Sequence, residues 1–366
     1  AATPDEIARM AKLLDAALAE GGAGLSTGLV YAPAMHAQPE EIQALARVVA
    51  RRGGIYATHM RSEGGALLEA IEEALDVARA AGVRLQISHL KTAGRANWHK
   101  LDAALETIRA ARKAGIEVAS DRYPYTASCT DLDVILPAWA AQGGRAAILA
   151  RLRNPAARAK IRAEMAAARD DKYWEAVWVG STRHPDNAPV TGRPILHAAE
   201  AWKLHPLDAA LRFMETDELF TGGIFFGMNE ENLRRILAEP WVMIGSDASI
   251  RAPWVPLSLD HPHPRAYGTF GRFMRSVLDG QGVAVGEAVR KMTSLPAEHF
   301  RLKDRGVIRA GAFADIVVLD PVTFRDLATY ETPHRFCEGI SAVWVNGVPT
   351  FRDGRDTGAR GGRYLD

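Results

Sequence analysis

The sequence predicts a (β/α) barrel with a small β domain at its C-terminal end. Three observations carry that expectation. Short apolar runs alternate with long Ala/Glu/Arg-rich helical stretches, and His59, His89 and Asp247 each close one of those runs. Beyond Arg301 the pattern changes to short alternating runs. Repeated β–α–β demands a parallel sheet with helices outside it. A barrel gathers its reactive side chains at the C-terminal ends of its strands. A doubly wound open sheet is the alternative, but no glycine-rich dinucleotide loop follows a strand here.

The elements follow in order. Thr3-Pro4-Asp5-Glu6 opens a helix, with proline and acids in its first turn. Ile7, Met10, Leu13, Leu14 and Leu18 share one face of it, and Gly21-Gly22 ends it. Residues 24–31 read as a strand and loop, 40–52 as a helix stopped by Gly53-Gly54, and 55–59 as a buried strand. A helix over 65–81 closes at Gly82, a strand runs over 83–89, a helix over 101–114 ends at Gly115, and 116–121 is again a strand. From Leu132 to Glu239 the pattern is mostly helical and irregular, and 182–194, rich in Pro, Gly, Asn and Asp, reads as an ordered loop or lid. Residues 241–247 return to strand character with an acid at the end. The runs 316–319 and 343–347 belong to the β domain, where Asn346-Gly347 marks a hairpin turn. The expected domains are therefore a catalytic barrel portion over 1–301, with an inserted helical or lid segment at about 132–239, and a small β domain over 302–366.

Composition narrows the function. The 366 residues are 48% hydrophobic and 24% charged, ordinary for a soluble globular protein. Lys+Arg 45 against Asp+Glu 44 leaves a net charge of +1, which argues against a nucleic-acid or polybasic membrane partner. No stretch approaches the ~20 apolar residues of a spanning helix, and the N-terminus shows no signal-peptide pattern. Cys129 and Cys337 are too few for a disulfide framework or a zinc ribbon. A cytoplasmic enzyme acting on a small molecule is the expectation.

Two imidazoles and a carboxylate converging on one rim are the ingredients of a hydrolytic metal centre. The metal makes hydroxide available near neutral pH, and the carboxylate takes and returns a proton. Around these residues stand the segments 58–61 (Thr-His-Met-Arg), 88–91 (Ser-His-Leu-Lys), 121–125 (Asp-Arg-Tyr-Pro-Tyr) and 245–247 (Gly-Ser-Asp). With 24–33, 261–265 (His-Pro-His-Pro-Arg) and the tail motif 306–315, they resemble the D-aminoacylase (N-acyl-D-amino-acid deacylase) branch of the amidohydrolase superfamily, in the expected order over nearly the whole chain.

The resemblance implies zinc-dependent hydrolysis of N-acyl-D-amino acids to a carboxylate and a free D-amino acid, with one or two Zn2+ per site. By the same resemblance His59 and His89 are metal ligands and Asp247 is the catalytic proton shuttle. Lys91, Tyr123 and Arg265 are implied as substrate contacts, with Tyr31 and Ser128 as further candidates for the same pocket. Physically, a cationic Lys or Arg suits the α-carboxylate of such a substrate. Arg251 is a loop candidate for an acidic substrate side chain, while Trp254, Val255 and Leu257 favour a hydrophobic one.

The chain departs from the family pattern in two ways. No His-x-His pair precedes His59, and no cysteine precedes the Tyr-Pro-Tyr segment to serve as a ligand. About five barrel strands are legible where closure requires eight. They correspond to strands 4–8 of the barrel, so an N-terminal segment carrying the remaining strands and ligands is expected as a partner. The rival readings are another amidohydrolase chemistry (cyclic amide, hydantoin or dipeptide hydrolysis) and a catalytically incomplete fragment.

Overall fold

The computed structural model describes residues 2–365. Its largest sheet is built from β1 (Gly24–Gly28), β2 (Ile55–His59), β3 (Arg84–Ile87), β4 (Val118–Arg122) and a late strand, β8 (Val242–Ile244). These five pair in parallel in the order β1-β2-β3-β4-β8. That is the expected run of consecutive barrel strands, and β1 and β8 each have one edge with no strand partner among the described residues.

The helices pack as the periodicity requires. The first, Pro4–Ala19, opens on a capping box in which the Thr3 hydroxyl accepts from the Glu6 amide and the Glu6 carboxylate accepts from the Thr3 amide. Helices Pro39–Arg51, Leu67–Ala81 and Leu101–Lys113 link successive strands. They turn Val49, Ile71, Leu75, Leu105 and Ile108 against Tyr56, Leu85 and Ile87 of the sheet. β3 is buried at every position, as a central parallel strand covered on both faces should be.

Between β4 and β8 lies the insertion, whose helices are accompanied by a small sheet that the sequence does not signal. Three strands, β5 (Ser128–Asp131), β6 (Val177–Val179) and β7 (Gly222–Phe225), form an antiparallel sheet in the order β5-β7-β6. Helices over 144–216 pack on it around Trp174, Phe213 and Leu211. Helix Glu230–Ala238, at the end of the segment expected to be inserted, puts Ile236 into the core of the parallel sheet beside Trp241 and Val242. The expected lid at 182–194 contains a 3-10 turn, Pro185–Val190.

The C-terminal sheet is β9 (Ile316–Leu319), β10 (Ile340–Val345), β11 (Val348–Arg352) and β12 (Arg355–Asp356), antiparallel throughout. Asn346 and Gly347 both take positive φ, 51° and 79°, between β10 and β11, as the turn signal implied.

The end of the barrel opposite the site holds a half-buried histidine. Arg84, opening β3, donates to the carbonyls of His299 and Gly53. The His299 Nε2 is buried without a partner among the described residues, and burial, reinforced by Arg84 and Arg112, brings its pKa down from 6.5 to about 4. The fold therefore favours the neutral ring. Its contribution is complete above the unfolded value of 6.5 and is lost as pH falls toward about 4, because only the unfolded chain takes up the proton in that window. Thermal melts at about pH 7 and pH 5 should show a smaller drop for His299→Gln than for the parent chain; equal drops would remove His299 from the account.

Candidate active site

Parallel pairing brings the strand ends to one rim. Gly28 is level with His59, Thr58 with Ile87, Ile87 with Ser120, and Arg122 with Ile244. His89 and Asp247 lie two and three residues beyond the ends of β3 and β8, and both take the left-handed conformation, φ 41° and 49°. That region costs a non-glycine residue about 1 kcal/mol or more. It lets each chain turn sharply off its strand while its side chain stays at the rim. Gly245 makes the approach possible at β8, because a Cβ there would stand 2.9 Å from the Asp121 carboxylate. The Asp121 carboxylate in turn accepts the His89 backbone N–H at 3.0 Å and so holds the strained turn.

His59 and His89 meet edge to face, ring centres 4.5 Å apart. Between them stands a residue the sequence reading missed, Glu63. Its Oε1 lies 2.7 Å from His89 Nδ1 and accepts from the Lys91 ammonium, while Oε2 faces His59 Nε2 at 3.8 Å. Ligand atoms of His59, Glu63 and His89 all lie within 4.8 Å of one another. The signal that would have found Glu63 is its spacing, four residues beyond His59 in a loop that leaves a strand end.

Charge and burial suit these donors to a cation. Burial, opposed only in part by Glu63, takes the His59 pKa from 6.5 down to about 4, so its ring stays neutral. Burial alone would push the Glu63 carboxyl up, but Lys91 and the two histidines outweigh it and hold it well below the usual carboxylate range. Two imidazoles and an ionised carboxylate are a donor set that zinc accepts.

Asp247 joins this cluster to a cavity. Its Oδ2 lies 4.0 Å from His89 Nε2 and 2.9 Å from Arg265 Nη1. Both Asp247 and Arg265 line a cavity of about 540 Å³ that extends to Arg183 and Phe220 of the insertion. Arg265 opens the helix Arg265–Leu278 and also donates to the Cys129 carbonyl at 3.1 Å. His263, left without a role in the sequence reading, secures it: its Nδ1 accepts the Arg265 backbone N–H at 2.9 Å and its Nε2 donates to the Ala127 carbonyl at 3.0 Å.

The other expected residues divide. Lys91 is buried and tied to Glu63 and His89. Tyr123 is fully buried, its ring flanked by Arg122 at 4.1 Å and Arg265 at 4.5 Å, and its hydroxyl has no hydrogen-bond partner among the described residues. A buried phenol without a partner is the kind of group that a ligand oxygen completes. Tyr31 lies edge-on to His59, ring centres 5.2 Å apart, and its hydroxyl meets Thr130 at 2.9 Å. Ser128 sits on β5 opposite Phe225, with no hydrogen bond from its hydroxyl among the described residues. Arg251 is already paired with Asp260. Trp254 and Val255 are exposed, and Leu257 lines the cavity.

Comparison with known proteins follows from this geometry. The model of the amidohydrolase family matches residues 1–351. The N-acyl-D-glutamate deacylase of Alcaligenes xylosoxydans xylosoxydans is 36% identical over 93% of this chain and 60% of its own length. The crystal structure of the Bordetella bronchiseptica N-acyl-D-glutamate deacylase, complexed with zinc and a phosphonate inhibitor, superposes with a TM-score of 0.79 at 32% identity, over 97% of this chain and 65% of that one. A D-aminoacylase structure matches with a TM-score of 0.79 at 35% identity, over 100% of this chain and 67% of that one. The chain spans 60% to 66% of the length of the curated relatives it matches. Strand ends, donor cluster and kinship agree, and the chain belongs to the amidohydrolase family, in its D-aminoacylase branch.

Proposed function

We propose that this chain carries the zinc-dependent hydrolysis of N-acyl-D-amino acids to a carboxylate and the free D-amino acid. The observation that supports it most is the His59–Glu63–His89 donor cluster beside Asp247, whose carboxylate is in turn set against Arg265. His59, His89 and Glu63 would hold the ion. Zinc bound there supplies Lewis-acid polarisation of the amide carbonyl and lowers the pKa of the attacking water.

The protein's own groups do the rest. Asp247 accepts the proton of the water as its oxygen bonds to the carbonyl carbon, then delivers that proton to the nitrogen as the C–N bond breaks. Arg265 binds the α-carboxylate through guanidinium N–H groups not already used on Asp247 and Cys129. Lys91 and the unpartnered Tyr123 hydroxyl complete that grip. Tyr31 and Ser128 border the same pocket in this reading. With carboxylate and amide both fixed, only one hand at the α-carbon sends its side chain into the cavity.

Three outcomes follow. Racemic N-acetyl-methionine and N-acetyl-glutamate, with zinc supplied, should release only the D-amino acid; release of the L-isomer would refute the assignment of handedness. Asp247→Asn should lower kcat by about 100-fold to 10,000-fold with zinc content unaltered, and a near-parental rate would remove Asp247 from proton transfer. Glu63→Gln should weaken zinc affinity by about 10-fold to 100-fold in a competition with a chelator. An unchanged affinity would leave Glu63 with no part in the metal site.

A further inference from the structure

The cavity beside Asp247 is lined by three arginines, and they are not equivalent. Arg265 is paired with Asp247 and Arg251 with Asp260. Arg183 forms no ion pair among the described residues. Its guanidinium carbon lies 3.4 Å from the centre of the Phe220 ring, and Arg145 brings its own to 3.4 Å from the same ring. Cation–π contact fixes where these planes sit but leaves their N–H edges free to donate.

Arg145, too, forms no ion pair with a described residue. Two cations gathered on one ring repel each other, and an anion that reaches both relieves the repulsion. Asp131 stands near enough to feel both but pairs with neither, and it is exposed. The backbone under Arg183 is firmly held. The amides of Arg183 and His184 donate to Asp217 Oδ1 at 2.8 and 2.6 Å, and Thr221 donates to Oδ2 of that buried carboxylate at 2.7 Å. The insertion thus sets Arg183 in the cavity wall, seated on Phe220 over a held backbone and without an ion pair among the described residues, with the exposed Arg145 on the same ring.

We propose that Arg183, with Arg145, receives a carboxylate on the substrate's side chain, so that the preferred substrates are N-acyl-D-amino acids with an acidic side chain. This rests on the deacylase reading above and adds the substrate class to it. The α-carboxylate goes to Arg265, Lys91 and Tyr123, and the side-chain carboxylate crosses the cavity to Arg183. A neutral amide of the same shape cannot form the charge-assisted bonds and leaves the guanidinium pair uncompensated.

The test compares N-acetyl-D-glutamate with its neutral isostere N-acetyl-D-glutamine. The parent chain with zinc should favour the glutamate by about 100-fold in kcat/KM. Arg183→Met should bring that ratio to within a few-fold of one, and Arg183→Lys should keep part of it. A parental ratio near one, or a ratio that survives both Arg183→Met and Arg145→Met, overturns the proposal. Calorimetric titration of both compounds onto the parent chain and Arg183→Met separates this proposal from the reading beneath it. Charge-selective binding that Arg183→Met abolishes, without hydrolysis, supports the subsite and overturns the deacylase reading. Hydrolysis without charge preference does the reverse, and neither binding nor hydrolysis overturns both.

Discussion

Strands paired in parallel and in continuous register all end on the same side, and every feature of this site depends on that constraint. The ladder that sets Gly28 level with His59 and Thr58 level with Ile87 makes neighbours in space of residues that are 31 and 29 apart in sequence. No contact between His59 and His89 needs to be built for its own sake; both inherit their position from the sheet. What the sheet does not supply is direction. Left-handed turns at His89 and Asp247 provide it, and a glycine at 245 gives the Asp121 carboxylate room to pass. Local strain is held in place by the packing of β3, buried at each of its positions.

Part of the rim's charge is paired before any ligand arrives. Lys91 is matched to Glu63 and Arg265 to Asp247, while Asp121 and Arg122 form no ion pair among the described residues. Burying a charge costs least when it is paired and hydrogen-bonded. A carboxylate ligand would therefore have to share or displace an existing partner. Arg265 has more donors than Asp247 and Cys129 consume.

Much of this was legible in the amino-acid sequence, and the reasons differ by residue. His59, His89 and Asp247 close apolar runs, and an apolar run of strand length ending in a polar residue is a strong signal wherever the sheet is parallel. Glu63 escaped because it lies in a loop, where no periodicity marks a direction. The antiparallel sheet of the insertion escaped for another reason. β6 is three residues long and β7 opens on two glycines, so neither offers the alternation by which a strand is read. Arg183 carries no local signal at all: its significance arises from Phe220 and Arg145, which only the folded insertion places beside it. Arg251 showed the opposite failure, a loop cation whose charge is spent on Asp260.

The C-terminal segment is stitched to the rim in a way that alters what the small β domain is. His261 donates to the Tyr330 carbonyl at 2.7 Å, His334 donates to the Asp260 carbonyl at 2.7 Å, and Tyr267 donates to His334 at 3.0 Å. Tyr330 also stands edge-on to His263, the residue that seats Arg265. These contacts join the segment before β10 to the loop and helix that follow β8. Opening of the segment that carries Tyr330 and His334 and release of Arg265 are thereby coupled. The amides of both regions should exchange with solvent at a common rate, as a single unit of stability that crosses the boundary between the domains.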